Sequence, residues 1–213
     1  MADVRVPVRA DDVTPEWLTA LLAAEHPGVE VVDLEIVSRT QGAATRLRVR
    51  PTYAPGRDAG LPARLFVKTS LTKRMLVADP HLYVTEVRFY EQIRPTLDCE
   101  TPAVYGVALD ETTGRFAVVT EDLAQRGASF PSAHSGLRAA DVAPLLTTCA
   151  RLHAANWALR DLAHRYPWLE TTATGKTARW WISGSRSPTM PSQVPISPGA
   201  VWARGPSPGS PKI

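Results

Sequence analysis

The stretch "RLFVKTS", Arg64 to Ser70, sets one lysine inside an apolar, β-prone run. Lys68 is either an exposed residue on a strand or a cation held in place, and a held cation needs a partner. In "HLYVTEVRFYEQIR", Leu82, Phe89 and Ile93 recur at helical spacing and define a buried face. Glu86 falls on that face, four residues after Leu82 and three before Phe89. A carboxylate on a buried stripe is costly unless it is paired. Lys68 leaves the strand just before this helix, so a Lys68–Glu86 ion pair would satisfy both residues. In the alternative, Glu86 snorkels to the helix edge and Lys68 stays in solvent.

Other residues with chemical potential are fewer. Glu121 and Asp122 in "VVTEDL" are either an ordinary charged pair ending a strand or part of a site. His153 in "RLHAANW" reads as a structural residue on the core side of a helix rather than a catalytic one, and His134 in "AHSGL" reads as a loop residue. Cys99 and Cys149 have no CxxC partner, which suggests a reducing cytoplasm and buried thiols, with neither a disulfide framework nor a zinc site.

The elements that must position these residues follow from periodicity and punctuation. Thr14, Pro15 and Glu16 signal a helix start, Trp17, Leu18, Leu21 and Leu22 form its apolar stripe, and Pro27-Gly28 is the expected stop. "VEVVDLEIVS" (29–38) alternates as a strand, "RTQGAA" (39–44) reads as a turn, and "TRLRVRPTY" (45–53) alternates with Leu47 and Val49 on one face. "ARLFVKTS" completes an antiparallel meander. Asp79-Pro80 caps the helix carrying Glu86, which is expected to end before Pro95. "AVYGVALDETTGRFAVVTEDL" is a hairpin turning at Asp110 to Gly114. Asp141 is the expected cap of "VAPLLTTCARLHAANWALRDLAHR", with Leu145, Cys149, Leu152 and Trp157 on its core face.

The charge of the chain is uneven. Its 213 residues carry a formal net charge of +3, yet residues 1–170 hold 19 basic against 21 acidic side chains and the remainder holds no acid. The basicity belongs to the tail, so a basic nucleic-acid face on the folded part is not expected. No run of about 18 apolar residues is present, and "MADVRVPVRADDVTPEW" lacks the apolar stretch of a signal peptide. A cytoplasmic protein without membrane or nucleic-acid partners is expected.

A lysine strand ("LFVKTS"), a helix with a glutamate ("TEVRFYEQI"), a hinge-like strand end ("FAVVTEDLA") and a long helix ("CARLHAANW") occur in an order that resembles the protein-kinase-like fold. Within it, the chain is similar to the aminoglycoside phosphotransferase superfamily, particularly its choline and ecdysteroid kinase-like branch. "RYPWL" (165–169) also resembles the segment after that helix, so the likeness covers residues 12 to 170 or so. It implies an α+β fold: residues 1–123 as an N-terminal lobe with a five-stranded antiparallel sheet and one helix packed on it, and residues 124–170 as hinge and first helices of an incomplete α-helical lobe.

The resemblance further implies that Lys68 holds the α/β-phosphates of ATP and that Glu86 orients it. The backbone at Glu121, Asp122 and Leu123 would meet the adenine edge. "SRTQGAAT" would cover the phosphates, with Gly42 permitting close backbone approach. The complete parent would use ATP and Mg²⁺ to phosphorylate a hydroxyl on a small molecule. The sequence does not contain the HGD-type catalytic loop or the aspartate-bearing metal motif that this requires. "LRDLAHRYPW" imitates such a loop, but Leu159 replaces its histidine and Tyr166 its asparagine, and it is expected to continue the preceding helix. From Ser183 on, 18 of 31 residues are Pro, Gly or Ser, so residues 171–213 read as a disordered or frameshifted tail. A truncated phosphotransferase without turnover is therefore expected, or else an inactive nucleotide-binding or interaction module. An aggregation-prone remnant, left with an uncovered helix, is the third reading.

Overall fold

The structure, a computed structural model, describes residues 4–70, 81–131, 136–157 and 161–169. The chain divides into two units, Met1–Trp168 and Leu169–Ile213, and only Leu169 of the second is among the described residues.

Helix α1 (Pro15–Leu22) starts as its sequence dictates, with the Thr14 hydroxyl accepting the Trp17 N–H at 3.2 Å. It buries Leu18, Leu21 and Leu22. The helix closes at Leu22 rather than at Pro27-Gly28, and residues 23–28 form turns that end on Gly28 at φ +88°.

Five strands follow: β1 (Val31–Gln41), β2 (Thr45–Tyr53), β3 (Leu65–Thr69), β4 (Val104–Asp110) and β5 (Arg115–Glu121). They form one antiparallel sheet in the order β1-β2-β3-β5-β4, so the meander and the hairpin meet along β3 and β5. The α+β class with a five-stranded antiparallel sheet is thus what the molecule has. β1 starts two residues later and runs three residues further than its alternation suggests, because Arg39, Thr40 and Gln41 pair with Leu47, Arg46 and Thr45; the turn shrinks to residues 42–44. β1 is an edge strand with register shifts between Val31 and Asp33 and between Ile36 and Ser38, and Val32, Ile36 and Val37 stand exposed along it.

Each sheet face carries its own helix, a correction to the single packed helix expected. On one face Leu47, Val49, Leu65, Val67, Ala117 and Val119 join Leu18, Leu21 and Leu22 of α1 in a wholly apolar cluster. Gly106 lets α1 approach β4: a Cβ there would lie 3.1 Å from Leu21 Cγ. On the other face, helix α2 (His81–Arg88) sets Tyr83 and Val87 against Phe116 and Val118.

The buried side of α2 differs from the expected one. Leu82 is 47% exposed, and Phe89 and Ile93 are only half-buried. Tyr83 sets the rotation instead. Its ring stacks on Phe116 at 4.6 Å, and its hydroxyl donates to the Ala43 carbonyl. A buried aromatic ring covers more apolar area than a leucine, so it decides which face turns inward. The α-helix closes at Arg88 and passes into a π turn (Phe89–Ile93) and a 3-10 turn (Arg94–Thr96). The chain therefore does not stop helical winding before Pro95; the Arg94 N–H donates five residues back, to Phe89, and Pro95 has no N–H to give. The expected cap at Asp79-Pro80 lies outside the described residues.

Helix α3 (Ala139–Asn156) begins two residues before its expected cap. Asp141 stands at the third helical position and accepts the Arg138 N–H at 2.9 Å. None of its residues is buried. Leu145 and Trp157 are 59% and 86% exposed, Cys149 and His153 are exposed, and Leu152 is half-buried, so the expected core face, core-side histidine and buried thiol are not formed. A helix buries its stripe only where another element meets it. Cys99 is likewise only half-buried. A short helix α4 (Leu162–Arg165) precedes buried Tyr166, and Trp168 donates its indole N–H to Gln92 at 2.8 Å. Leu159 lies outside the described residues, and α3 has ended at Asn156 before it. No helix among the described residues is long and apolar enough to cross a membrane.

Candidate functional site

The sheet gives Lys68 its direction. In β3, Leu65 and Val67 point into the apolar cluster, so Phe66 and Lys68 must point to the α2 side. There the ammonium lies 2.6 Å from each carboxylate oxygen of Glu86. Both side chains are partly buried, at 29% and 23% exposure. The ion pair is formed, and the snorkelling alternative is not.

The pair forms one wall of a cavity of about 110 Å³. Glu121, Asp122 and Leu123 border the same cavity, so five of the six site residues expected from sequence converge there. Gly42 is not among its lining residues. A Cβ on Gly42 would meet nothing nearer than 3.8 Å, so no neighbour in the chain itself requires a glycine there. The turn containing it is nevertheless tied to the cavity, since Ala43 is gripped by Tyr83 on the helix that carries Glu86.

Glu121, Asp122 and Leu123 have separate tasks. Glu121 ends β5, and its carboxylate accepts the Ala103 N–H at 3.0 Å and an Arg126 N–H at 2.9 Å, which fixes the strand end. Leu123 opens a 3-10 turn to Arg126 that Gly127 closes at φ +76°. Asp122 caps this turn: Oδ1 accepts the Ala124 N–H at 3.2 Å and the Arg48 Nε–H at 3.2 Å. Asp122 is 3% exposed, and its second oxygen, Oδ2, is buried without a hydrogen-bond partner. An unsatisfied carboxylate oxygen away from water is an unusual cost.

Sequence reasoning missed part of the lining. Arg48 lies with its guanidinium 6.0 Å from the Phe66 ring centre and 5.9 Å from that of Phe130. Val118 and Thr120, the β5 partners of Lys68 and Phe66, complete the sheet side, and Tyr90 comes from α2's continuation. Burial holds the Tyr90 phenol above its usual range, and the Glu86 charge adds to this. The signal for Arg48, Phe66, Val118 and Thr120 was strand alternation; Tyr90 follows Glu86 by one helical turn. Phe130 lies in a loop, where no periodicity marks it.

Chemically, the site offers a fixed cation beside apolar and aromatic walls. Such groups can hold an anion at Lys68 and a flat ring against the walls. They do not fit a divalent metal. Among the described residues no cluster of three or more His, Cys, Asp or Glu side chains is present, and both Glu86 oxygens face Lys68. A larger hollow of about 430 Å³ beside residues 5–9 holds one carboxylate, Asp12, which already accepts the Val8 and Arg9 N–H groups. Comparison of the chain with family models, curated proteins and solved structures finds no match, so the reading of this site rests on its geometry.

Proposed function

We propose that the chain is a nucleotide-binding member of the ATP-dependent small-molecule phosphotransferase superfamily, with residues 1–123 as its kinase-like lobe. The observation that supports this is the Lys68–Glu86 pair opening onto the same cavity as Glu121, Asp122 and Leu123. In this reading Lys68 holds the α/β-phosphates, Glu86 keeps its ammonium from swinging into solvent, and the hinge segment borders the base. ATP would supply a transferable γ-phosphoryl group. The sequence holds no HGD-type loop to position a small-molecule hydroxyl, and the cavity holds no ligand set for Mg²⁺, so no transfer step is assigned to these residues.

The experiment is a thermal melt of the purified chain with and without ATP, beside a turnover assay. A rise in Tm with ATP, absent in Lys68→Met, supports the nucleotide site. Stabilisation without turnover favours the inactive nucleotide-binding or interaction module, a reading that the exposed Leu145 and Leu146 of α3 and Trp157 just after it also support. Turnover abolished by Lys68→Met makes the chain an enzyme in its own right. No response to any nucleoside triphosphate ends the proposal.

A further inference from the structure

The cation of the cavity is only as well placed as the helix that carries its partner. Glu86 rides on α2, an eight-residue helix with two buried side chains, Tyr83 and Val87. Val87 meets the sheet through apolar contact, which is non-directional and leaves the helix free to slide or turn. Tyr83, 1% exposed, fixes its direction. The ring lies within 18° of parallel to that of Phe116, 4.6 Å away, and the hydroxyl donates to the Ala43 carbonyl in the turn between β1 and β2.

That turn is otherwise closed on itself. Gln41 pairs with Thr45 at its base, the Gly42 N–H donates to the Ala44 carbonyl at 3.1 Å, and Ala44 is buried in the cluster that holds Tyr83. Among the described residues, the Tyr83 hydroxyl is the one side-chain donor to the turn. Tyr83 precedes Glu86 by three residues and so lies on the same side of the helix. One side chain thus fastens both the turn and the helix that holds the Lys68–Glu86 pair.

We propose that Tyr83 is a positioning residue whose hydroxyl couples the 42–44 turn to the Lys68–Glu86 pair, so that an anion at Lys68 is held best while the turn is closed. This rests on the nucleotide reading of the cavity and adds to it how a turn that contributes no lining residue bears on the site. A loosened turn lets α2 shift, Glu86 then leaves the ammonium, and Lys68 must be ordered again when a ligand binds. By reciprocity, the intact pair steadies the turn.

Tyr83→Phe isolates the effect, because it keeps the stack on Phe116 and removes the hydroxyl alone. Amide exchange at Gly42 reads the turn, and Glu86→Ala releases the pair at the other end of the same fastening. In the ligand-free full chain, Glu86→Ala should speed Gly42 exchange about three- to tenfold, the net worth of one neutral hydrogen bond, and should add nothing in a Tyr83→Phe background. A tyrosine that only fills the core would leave the acceleration the same in both backgrounds, and that result overturns the proposal. Unchanged exchange in Glu86→Ala overturns it too, in a comparison that needs no Tyr83 variant to fold.

Calorimetry with ATP supplies the ligand arm. Tyr83→Phe should bind ATP about three- to tenfold more weakly than the wild type, for the same reason. Equal affinity of the wild type and a folded Tyr83→Phe overturns the proposal and leaves the nucleotide site standing. Absence of ATP binding by the wild type overturns the nucleotide reading instead, and the exchange comparison then decides the coupling by itself.

Discussion

The two faces of one sheet are built to different ends. Neighbouring residues of a single strand, Leu47 and Arg48, or Val67 and Lys68, point to opposite sides and meet opposite environments. The α1 face is mostly apolar and closed, with Leu18, Leu22, Leu47, Val49, Leu65 and Val67 fully buried. The α2 face is half apolar, where Tyr83 and Val87 meet Phe116, and half open, where Arg48, Lys68, Glu86 and Asp122 surround a cavity. The closed face supplies the burial that folding needs. The other face can then carry Lys68 and Glu86 at partial exposure, open to a ligand of the proposed kind. Stability and the proposed binding are thus divided between alternate residues of the same strands.

The largest test of this division is a core truncation. Leu47→Ala, at a fully buried position, should cost about 2–5 kcal/mol in urea unfolding. Phe66→Ala, on a half-buried cavity wall of the other face, should cost less than half as much. Equal costs would mean that the faces share the load. Gly106→Ala probes how tightly the closed face is shut: the added methyl would press on Leu21 Cγ and should cost about 1–3 kcal/mol. A variant as stable as the wild type would show that α1 can shift at little cost.

On the open face the expectation reverses. Lys68→Met breaks a pair that is partly solvated, so stability should fall by no more than about 1 kcal/mol, while the response to ATP disappears. A large loss of stability would make the pair structural first. The smallest effect concerns pH. Tyr53, packed at the end of the closed face and donating to the Pro62 carbonyl at 3.0 Å, has its phenol pushed up to about 12 by burial, with the Asp58 charge adding to this. The unfolded phenol ionises near pH 10 while the folded one stays neutral, so stability should hold up to about pH 10 and decline towards pH 12. Tyr53→Phe should flatten that alkaline decline in a pH series of urea melts; an unchanged slope would assign it to other groups.

Much of this was legible in the chain because the signals were local. Strand alternation marked Leu47 and Val49, the Thr14-Pro15 start marked α1, and a lysine and a glutamate with no apolar excuse marked each other. What was not legible depended on tertiary choices. The rotation of α2 turned on Tyr83 finding Phe116, two residues far apart in sequence. The stripe on α3 implied a core face, but a stripe does not name its partner, and Leu145 and Trp157 stand exposed. At the site, the backbone of the hinge was expected to matter, and the side chain of Asp122 was not singled out. Its singularity lies in an unpaired oxygen, which no pattern of residue types reveals. Phe130 was hidden for the same reason as any loop residue.

The two register shifts in β1 have a consequence for the fate of the chain among its own copies. An eleven-residue edge strand with exposed Val32, Ile36 and Val37 would ordinarily invite a neighbour to add itself to the sheet. The shifts at Val31/Asp33 and Ile36/Ser38 break that invitation into short pieces, because each bulge displaces the outward row of N–H and C=O groups from the repeat a straight partner needs. Asp33, Glu35 and Arg39 add charges that an incoming strand would have to desolvate. The irregular border of the sheet thus acts as a guard against fibre growth, placed on the strand that has the most backbone to offer.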